Sequence, residues 1–343
     1  MQNRVRMKDV AEALGVHPTT VSLALREHPS IPAATQRRVR EMADAMGYRP
    51  NPLVSALISE RRKGRPSGHG AMLALLTVGE SRTDWRRKSH NYARLYDLMV
   101  QRAQALGYGM EEFWLQEPGV TPASLRRVLL HRGIRGIVVC PPPIGHSTLD
   151  FDFTDFAAVA LRYSLREPAL DHVSIDYAHS MSMVIKRLLE SGHRRLAFAT
   201  TRDIDERVSH LSLGVYLAER QLQPRRLLAP RLLADLDRDR FLRWMEASRP
   251  DALIAPIVTV YDHFLHWLRG AGWEVPGALS LVSADCHLGS PEPGILQNME
   301  EEARAAVDLV TSRVERAQFG APSQPLAILV SGRWRDGGTF AAR

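Results

Sequence analysis

The sequence predicts an all-α unit at the amino end, built as a helix-turn-helix, followed by a larger α/β core of doubly wound parallel sheets. Three observations carry that prediction. Residues 7–25, MKDVAEALGVHPTTVSLAL, hold two short apolar periodicities separated by a glycine. From residue 71 onward, short apolar runs alternate with helix-length amphipathic segments, the pattern of parallel sheets covered by helices on both faces. The charge excess is also local: twelve Lys and Arg against six Asp and Glu in residues 1–66 make up +6 of the net +7.

In the amino-terminal unit Val10, Ala11 and Leu14 recur at one-turn spacing, Gly15 permits a sharp turn, and Val21, Leu23 and Leu25 follow in a second helix. Pro18 opens that helix, where a missing N–H costs nothing. Thr19 and Thr20 put hydroxyls on its exposed first turn, an end able to meet a phosphate or a base edge. A third helix is expected over residues 33–46, because Val39, Ala43 and Met46 keep the spacing that closes a core over Val10, Leu14 and Val21; Gly47 reads as its C-cap. Residues 51–58, NPLVSALI, have a cap residue, a first-turn proline and an apolar stripe of two turns, marginal as an isolated helix. Residues 61–68, RRKGRPSG, form a basic, breaker-rich linker.

The chain of 343 residues has room for two or three domains, and 45% apolar with 24% charged residues is ordinary for a globular protein. It contains no run of eighteen apolar residues and opens on the polar, basic MQNRVRMKDV, so a cytoplasmic protein is expected. Cys140 and Cys286 lie in apolar strand-like contexts without metal spacing and read as buried reduced thiols. A charge excess confined to one small unit is the footprint of a polyanion reader. With Tyr48 as the one aromatic residue there, duplex is preferred over single-stranded nucleic acid.

In the core, strands are expected at 72–78, 135–140, 156–161, 173–177, 195–200, 252–255 and 279–284, with a helix through Tyr92, Leu95, Leu98 and Met99 after the first. Arg162 and Tyr163 follow the third of these strands, and Arg82 and Trp85 the first; each either faces a crevice or packs on the surface or core. His263 and His266 lie one turn apart with no carboxylate or cysteine to complete a metal site, and read as helix-face residues. Asp203, Asp205 and Glu206 read as an acidic first helical turn. No phosphate loop, dinucleotide fingerprint, zinc-helix motif or nucleophile elbow occurs, so neither catalysis nor a cofactor nor a metal is expected.

Met7-Lys8-Asp9-Val10-Ala11, Gly15-Val16, Thr20-Val21-Ser22 and Gly47-Tyr48-Arg49-Pro50-Asn51 together resemble the DNA-binding headpiece of the LacI/GalR (lactose repressor) family, without a gap over about the first sixty residues. The resemblance implies a sequence-specific transcription regulator, a repressor, that binds a palindromic operator as a homodimer. It places Pro18, Thr19 and Leu23 against bases in the major groove and Thr20, Ser22 and Asn51 against phosphates, with Met7, Tyr48 and Ser55 also at the DNA. Arg6 and Arg26 stand as phosphate neighbours or as solvated charge. Leu57 matches the leucine that a hinge helix wedges into a minor-groove step; docking of Leu53 and Leu57 on the core is the alternative. Leu23 departs from the usual polar residue, which implies less reliance on a base hydrogen bond there and more on a thymine methyl.

The resemblance continues more loosely through Ser191-Gly192-His193-Arg194-Arg195-Leu196-Ala197-Phe198, Gly214 and Leu279-Ser280-Leu281-Val282-Ser283-Ala284-Asp285. It implies a core similar to periplasmic sugar-binding proteins, with two Rossmann-like lobes clamping a small-molecule effector. The implied domains are a headpiece at 1–49, a hinge and linker at 50–70 and a core at 71–343. Within the core, lobe 1 is expected at about 71–163 and 298–326 and lobe 2 at about 164–297 and 327–343. Asp285 is the leading effector contact, with Arg162, Tyr163 and Arg207 beside it. Two departures argue against an ordinary sugar grip: Leu211 stands where the family carries an arginine, which Arg207 one turn earlier either replaces or does not, and Ile257-Val258 stand where the family often shows Asn-Asp. The competing readings are the same regulator without a small-molecule effector, and an enzyme such as a sugar kinase fused to a DNA-binding module.

Overall fold

The computed structural model describes residues 5, 7–25, 31–46, 71–87, 90–286, 288–289 and 291–343. In the amino-terminal unit, α1 (Met7–Leu14), α2 (Pro18–Leu25) and α3 (Ala33–Ala45) bury Val10, Ala11, Val21, Ala24, Val39 and Ala43 in one small core. Gly15 sits at φ +64° and lets the Val16 N–H return to the Ala11 carbonyl at 3.0 Å, which closes the turn between α1 and α2. The third helix caps at Met46, one residue before the expected position, and Gly47 itself lies outside the described residues.

The core opens with β1 (Ala71–Thr77), α4 (Asp84–Arg87), α5 (His90–Ala105), β2 (Tyr108–Trp114), α6 (Pro122–His131), β3 (Gly136–Val139), β4 (Ala157–Leu161) and β5 (Asp171–Ile175). A second run follows: α7 (Tyr177–Glu190), β6 (Leu196–Thr201), α8 (Arg202–Arg207), α9 (Leu211–Leu222), β7 (Arg231–Leu233), α10 (Arg238–Ser248), β8 (Ala252–Ala255), α11 (Val258–Gly270), β9 (Ser280–Cys286) and β10 (Gly294–Leu296). The chain ends with α12 (Met299–Glu315), β11 (Ala327–Val330) and β12 (Arg333–Arg335). Local chemistry sets several helix starts: the Asp176, Asp237 and Asn298 side chains accept from the backbone N–H three residues on, and Thr121 and Ser124 form a reciprocal capping box at α6.

The strands make two six-stranded sheets, ordered β11-β5-β4-β3-β1-β2 and β12-β10-β9-β8-β6-β7. All pairings are parallel except the antiparallel β10 and β12. Alternate residues of β1 feed opposite cores, Leu73 and Leu75 one, Ala74 and Leu76 the other, as a strand buried on both faces requires. Among the described residues no helix is long and apolar enough to cross a membrane.

The lobe boundaries differ from those expected. β5 pairs with β4 and with β11, Val159 opposite Asp171 and Ala327 opposite His172, so both strands belong to the first sheet. The crossovers therefore fall after residues 176, 297 and 330, and lobe 1 comprises 71–176 with 298–330. The strand β2 escapes a hydrophobic-run reading because Glu111 and Glu112 interrupt it; as an edge strand it turns them to Arg132 and Arg86.

Gly294 enters β10 at φ +141°, and a Cβ there would stand 1.8 Å from the Ser283 carbonyl oxygen across the register shift between β9 and β10. Gly294→Ala is expected to cost about 3 kcal/mol or more in chemical denaturation, backbone strain and collision combined. At Gly119, at φ +81° with open space around it, the same change should cost only about 1 kcal/mol.

Candidate functional site

The carboxyl ends of the parallel strands of both sheets face one cleft of about 740 Å³. Lobe 1 contributes Val78 after β1, Trp85 on α4, Asn91 and Tyr92 on α5, Pro141 and Pro143 after β3, and Arg162 after β4. Lobe 2 contributes Tyr177 on α7, Ile204 and Arg207 on α8, Ile257 and Thr259 around the start of α11, and Asp285 near the end of β9.

Arg162 is the structural centre of the floor. It is 4% exposed and sits at φ +65°, a conformation L side chains rarely adopt. Its Nε and Nη2 donate to the two Glu302 carboxylate oxygens at 2.7 and 3.0 Å, and its Nη1 donates to the Tyr177 hydroxyl at 3.2 Å. Burial opposes the guanidinium charge most strongly, but the Glu302 carboxylate, with Tyr177, Tyr92 and Asp285 adding to it, outweighs burial and keeps Arg162 protonated. Asp285 lies on the other side: its Oδ2 is 3.9 Å from Arg162 Nη1, and Asn91 Nδ2 donates to its Oδ1 at a long 3.5 Å. Burial pushes the Asp285 carboxyl up to about 6 against the opposing pull of Arg162.

Trp85 is held from behind. Its indole N–H donates to Glu112 Oε1 at 3.1 Å, and Arg86, stacked 4.6 Å over the Tyr96 ring, grips the same carboxylate through Nε and Nη2 at 3.0 and 2.7 Å. The ring lies 5.9 Å from that of Tyr92, and both residues line the cleft. Arg207 reaches across from α8 to donate to the Pro142 carbonyl at 2.7 Å, and Arg166 makes a second interlobe bond to the Glu206 carbonyl at 3.0 Å.

Of the effector contacts expected from sequence, Arg162, Arg207 and Asp285 line this cleft and Tyr163 does not. The left-handed backbone at Arg162 sends the next side chain away, so Tyr163 packs on His172 at 4.8 Å and behind Tyr177 at 6.2 Å. Trp85 lines the cleft, whereas Arg82 pairs with Glu117 at the surface. Leu211 packs with Ile175, Tyr177 and Val208, and Ile257 faces the cleft. Asp205 is more than a first-turn acid: it is buried and takes the His210 imidazole at 2.6 Å. His263 bonds the Thr259 carbonyl on its own helix, and no group of three metal-ligating side chains occurs among the described residues. Sequence reasoning missed Glu302, hidden in the acidic run Glu300-Glu301-Glu302, and Asn91, which nothing in its neighbours singles out.

In the amino-terminal unit Met7 begins α1 and Pro18 and Thr20 lie in the first turn of α2, all partly exposed. Thr19, Ser22 and Leu23 fall on α2, but their side chains are outside the described set, as are Arg6, Arg26, Tyr48, Asn51, Ser55 and Leu57 altogether.

Residues 6–51 match the family model for bacterial regulatory proteins of the lacI family, and residues 185–339 match that for a periplasmic binding protein-like domain. The chain thus carries a lacI-family helix-turn-helix domain and a periplasmic binding protein-like domain. The chain is 49% identical over 47 residues to the HTH-type transcriptional regulator AglR of Rhizobium meliloti (strain 1021), a match spanning 14% of this chain and 13% of that protein's length. Solved structures share its fold over nearly the whole chain. The lac repressor dimer bound to operator and the anti-inducer ONPF superposes with a TM-score of 0.57 at 16% identity, covering 98% of this chain and 99% of that one. The regulator CelR in complex with cellobiose gives 0.57 at 18% identity, covering 98% and 100%. A regulator from Alkaliphilus metalliredigens QYMF complexed with D-xylulofuranose gives 0.56 at 12%, covering 79% and 99%.

Proposed function

We propose that the protein is a cytoplasmic transcription regulator, a repressor, whose two headpieces in a homodimer bind a palindromic operator and whose interlobe cleft takes a small-molecule effector that changes operator affinity. The observation that carries this reading is the helix-turn-helix at the amino end: α3 closes its core, α2 presents Pro18 and Thr20 at its start, and the surrounding sequence holds nearly all the net charge. Two headpieces are needed because one alone buries too little surface for specific affinity, and two-fold symmetry in the protein demands it in the DNA. The cleft supports the effector half of the reading, since groups from both lobes meet there and a ligand bridging them would bias one lobe arrangement.

Selection of duplexes from a randomised pool by the full-length chain tests this. Enrichment of an inverted repeat bound by two chains is the expected result. No enrichment at low ionic strength, or occupancy by single chains, would overturn it.

A further inference from the structure

The effector half of that reading can be taken further, because the cleft's chemistry selects among ligand classes. Several of the polar groups of the cleft are already committed. Arg162 is satisfied by Glu302 and Tyr177, the Trp85 indole N–H points away to Glu112, and Arg207 spends Nη1 on the Pro142 carbonyl. The Gln116 side-chain oxygen accepts from the Gly79 N–H at 3.0 Å. Between these groups the walls are apolar: Pro143 and Ile144 on one side, Ile204, Val208 and Ile257 on the other.

Charge in the cleft is also one-sided. The Arg162 cation is cancelled by the bidentate Glu302 carboxylate, while Asp285 has only the 3.5 Å contact from Asn91 and the 3.9 Å approach of Arg162. Glu80 and Asp84 also stand in the lining, where Arg207 and His146 are the further basic side chains among the described residues. Asp285 is thus a nearly buried carboxylate with weak compensation, in a cleft whose lining also includes the rings of Trp85, Tyr92 and Tyr177. A carboxylate among aromatic faces attracts a cation twice, by direct charge and by the ring quadrupoles. Apolar walls reward burial of a hydrocarbon body.

We infer that the cleft binds a hydrophobic organic cation, an amine on an aromatic or alicyclic body whose ammonium sits at Asp285, in preference to a polyhydroxylated sugar or an anion. This inference rests on the effector-cleft reading above and names its ligand class.

The test is calorimetric titration of the full-length protein with 2-phenylethylamine, tryptamine and 1-adamantylamine, each beside its alcohol and carboxylate counterpart, and with D-glucose and cellobiose. At pH 7.5 at least one amine should bind tenfold or more tighter than its uncharged and anionic counterparts and than either sugar. Asp285→Asn should bring that amine to within about threefold of its alcohol. A measurement without mutation guards against a folding defect. The amines stay protonated at pH 5, but the Asp285 carboxyl, with its value near 6, does not stay ionised, so the preference should shrink at least fivefold between pH 7.5 and 5. Among the described residues, the charged and titratable groups around Asp285 are Arg162 after β4, Glu302 on α12, Glu292 before β10, and Tyr92 and Tyr177 on α5 and α7.

Tighter binding of a carboxylate or a sugar, amines no better than their alcohols, or a preference unchanged in Asp285→Asn would each overturn the inference. Operator binding measured on the same preparation separates the two levels. Operator release triggered by a sugar alone overturns the ligand class and leaves the regulator reading standing, whereas failure to bind any duplex overturns the regulator reading.

Discussion

Raising salt from 50 to 200 mM should weaken binding of the full-length protein to its selected operator by about 10³- to 10⁵-fold, the loss expected when six to ten phosphates are neutralised. The basis is the placement of charge. Arg4, Arg6, Lys8, Arg26, Arg37, Arg38, Arg40 and Arg49 crowd the headpiece, and Arg61, Arg62, Lys63 and Arg65 follow the hinge segment, while the remaining 277 residues are nearly neutral. Two headpieces at three to five phosphates each reach that range. Lys8 meets Glu12 only at 3.6 Å with both side chains largely exposed, a contact of little strength. Fluorescence anisotropy across a sodium chloride series gives the slope of log affinity against log salt. A slope shallower than about −2 would mean that the basic residues lie off the DNA, contrary to the expectation.

The parts of this fold that were legible in sequence share a physical cause. β1, β3, β4, β8 and β9 are buried on both faces, so they read as unbroken apolar runs, and the headpiece helices show because a three-helix core leaves each only one apolar stripe. β2 was not legible, because its Glu111 and Glu112 serve partners 20 or more residues away in sequence. β7, β10 and β12 are three residues long, too short to show a period. Site residues followed the same division. Asp285 and Arg162 lie near the ends of visible strands, which in parallel sheets point to the crevice, but which of Arg162 and Tyr163 faces it depends on one backbone dihedral that no spacing reveals. Glu302 is a stronger case. Three glutamates open α12, and only the tertiary fold decides that Glu300 and Glu301 stay at the surface while Glu302 is sealed against Arg162.

That sealed pair also joins the two halves of lobe 1. Arg162 comes from the first chain segment and Glu302 from the segment that returns after lobe 2 is complete, and α12 packs its Ala303, Ala306, Val307 and Val310 into the core that β1, β4 and β5 also enter. The pair therefore closes lobe 1 at the point where the cleft floor forms. Position and charge balance are supplied by the same contact.

Glu302→Ala should accordingly have a large effect on stability. It strands a guanidinium that is 4% exposed and keeps the Tyr177 hydroxyl, the Tyr92 ring at 5.6 Å and the distant Asp285, and an undercompensated buried charge costs about 3–5 kcal/mol. At ~2–4 °C per kcal/mol for a domain of this size, melting should fall by about 10 °C. Glu301→Gln, one residue away in an exposed pair with Arg304, should leave melting nearly unchanged. The double variant Arg162→Met with Glu302→Leu should recover most of the loss, because an apolar pair of similar volume removes both desolvated charges together. Scanning calorimetry of the four proteins settles the point, and equal losses in the single and double variants would show that α12 packing, not charge, is what Glu302 supplies. Folded Glu302→Ala protein at low temperature has a further expected property. With the Arg162 cation no longer cancelled, the cleft gains one positive charge beside Asp285, so amines should bind less tightly and their carboxylate counterparts more tightly than to the unaltered chain. Stability and ligand charge preference would then change together through one buried carboxylate, whereas a contact that served packing alone would lower the first and leave the second in place.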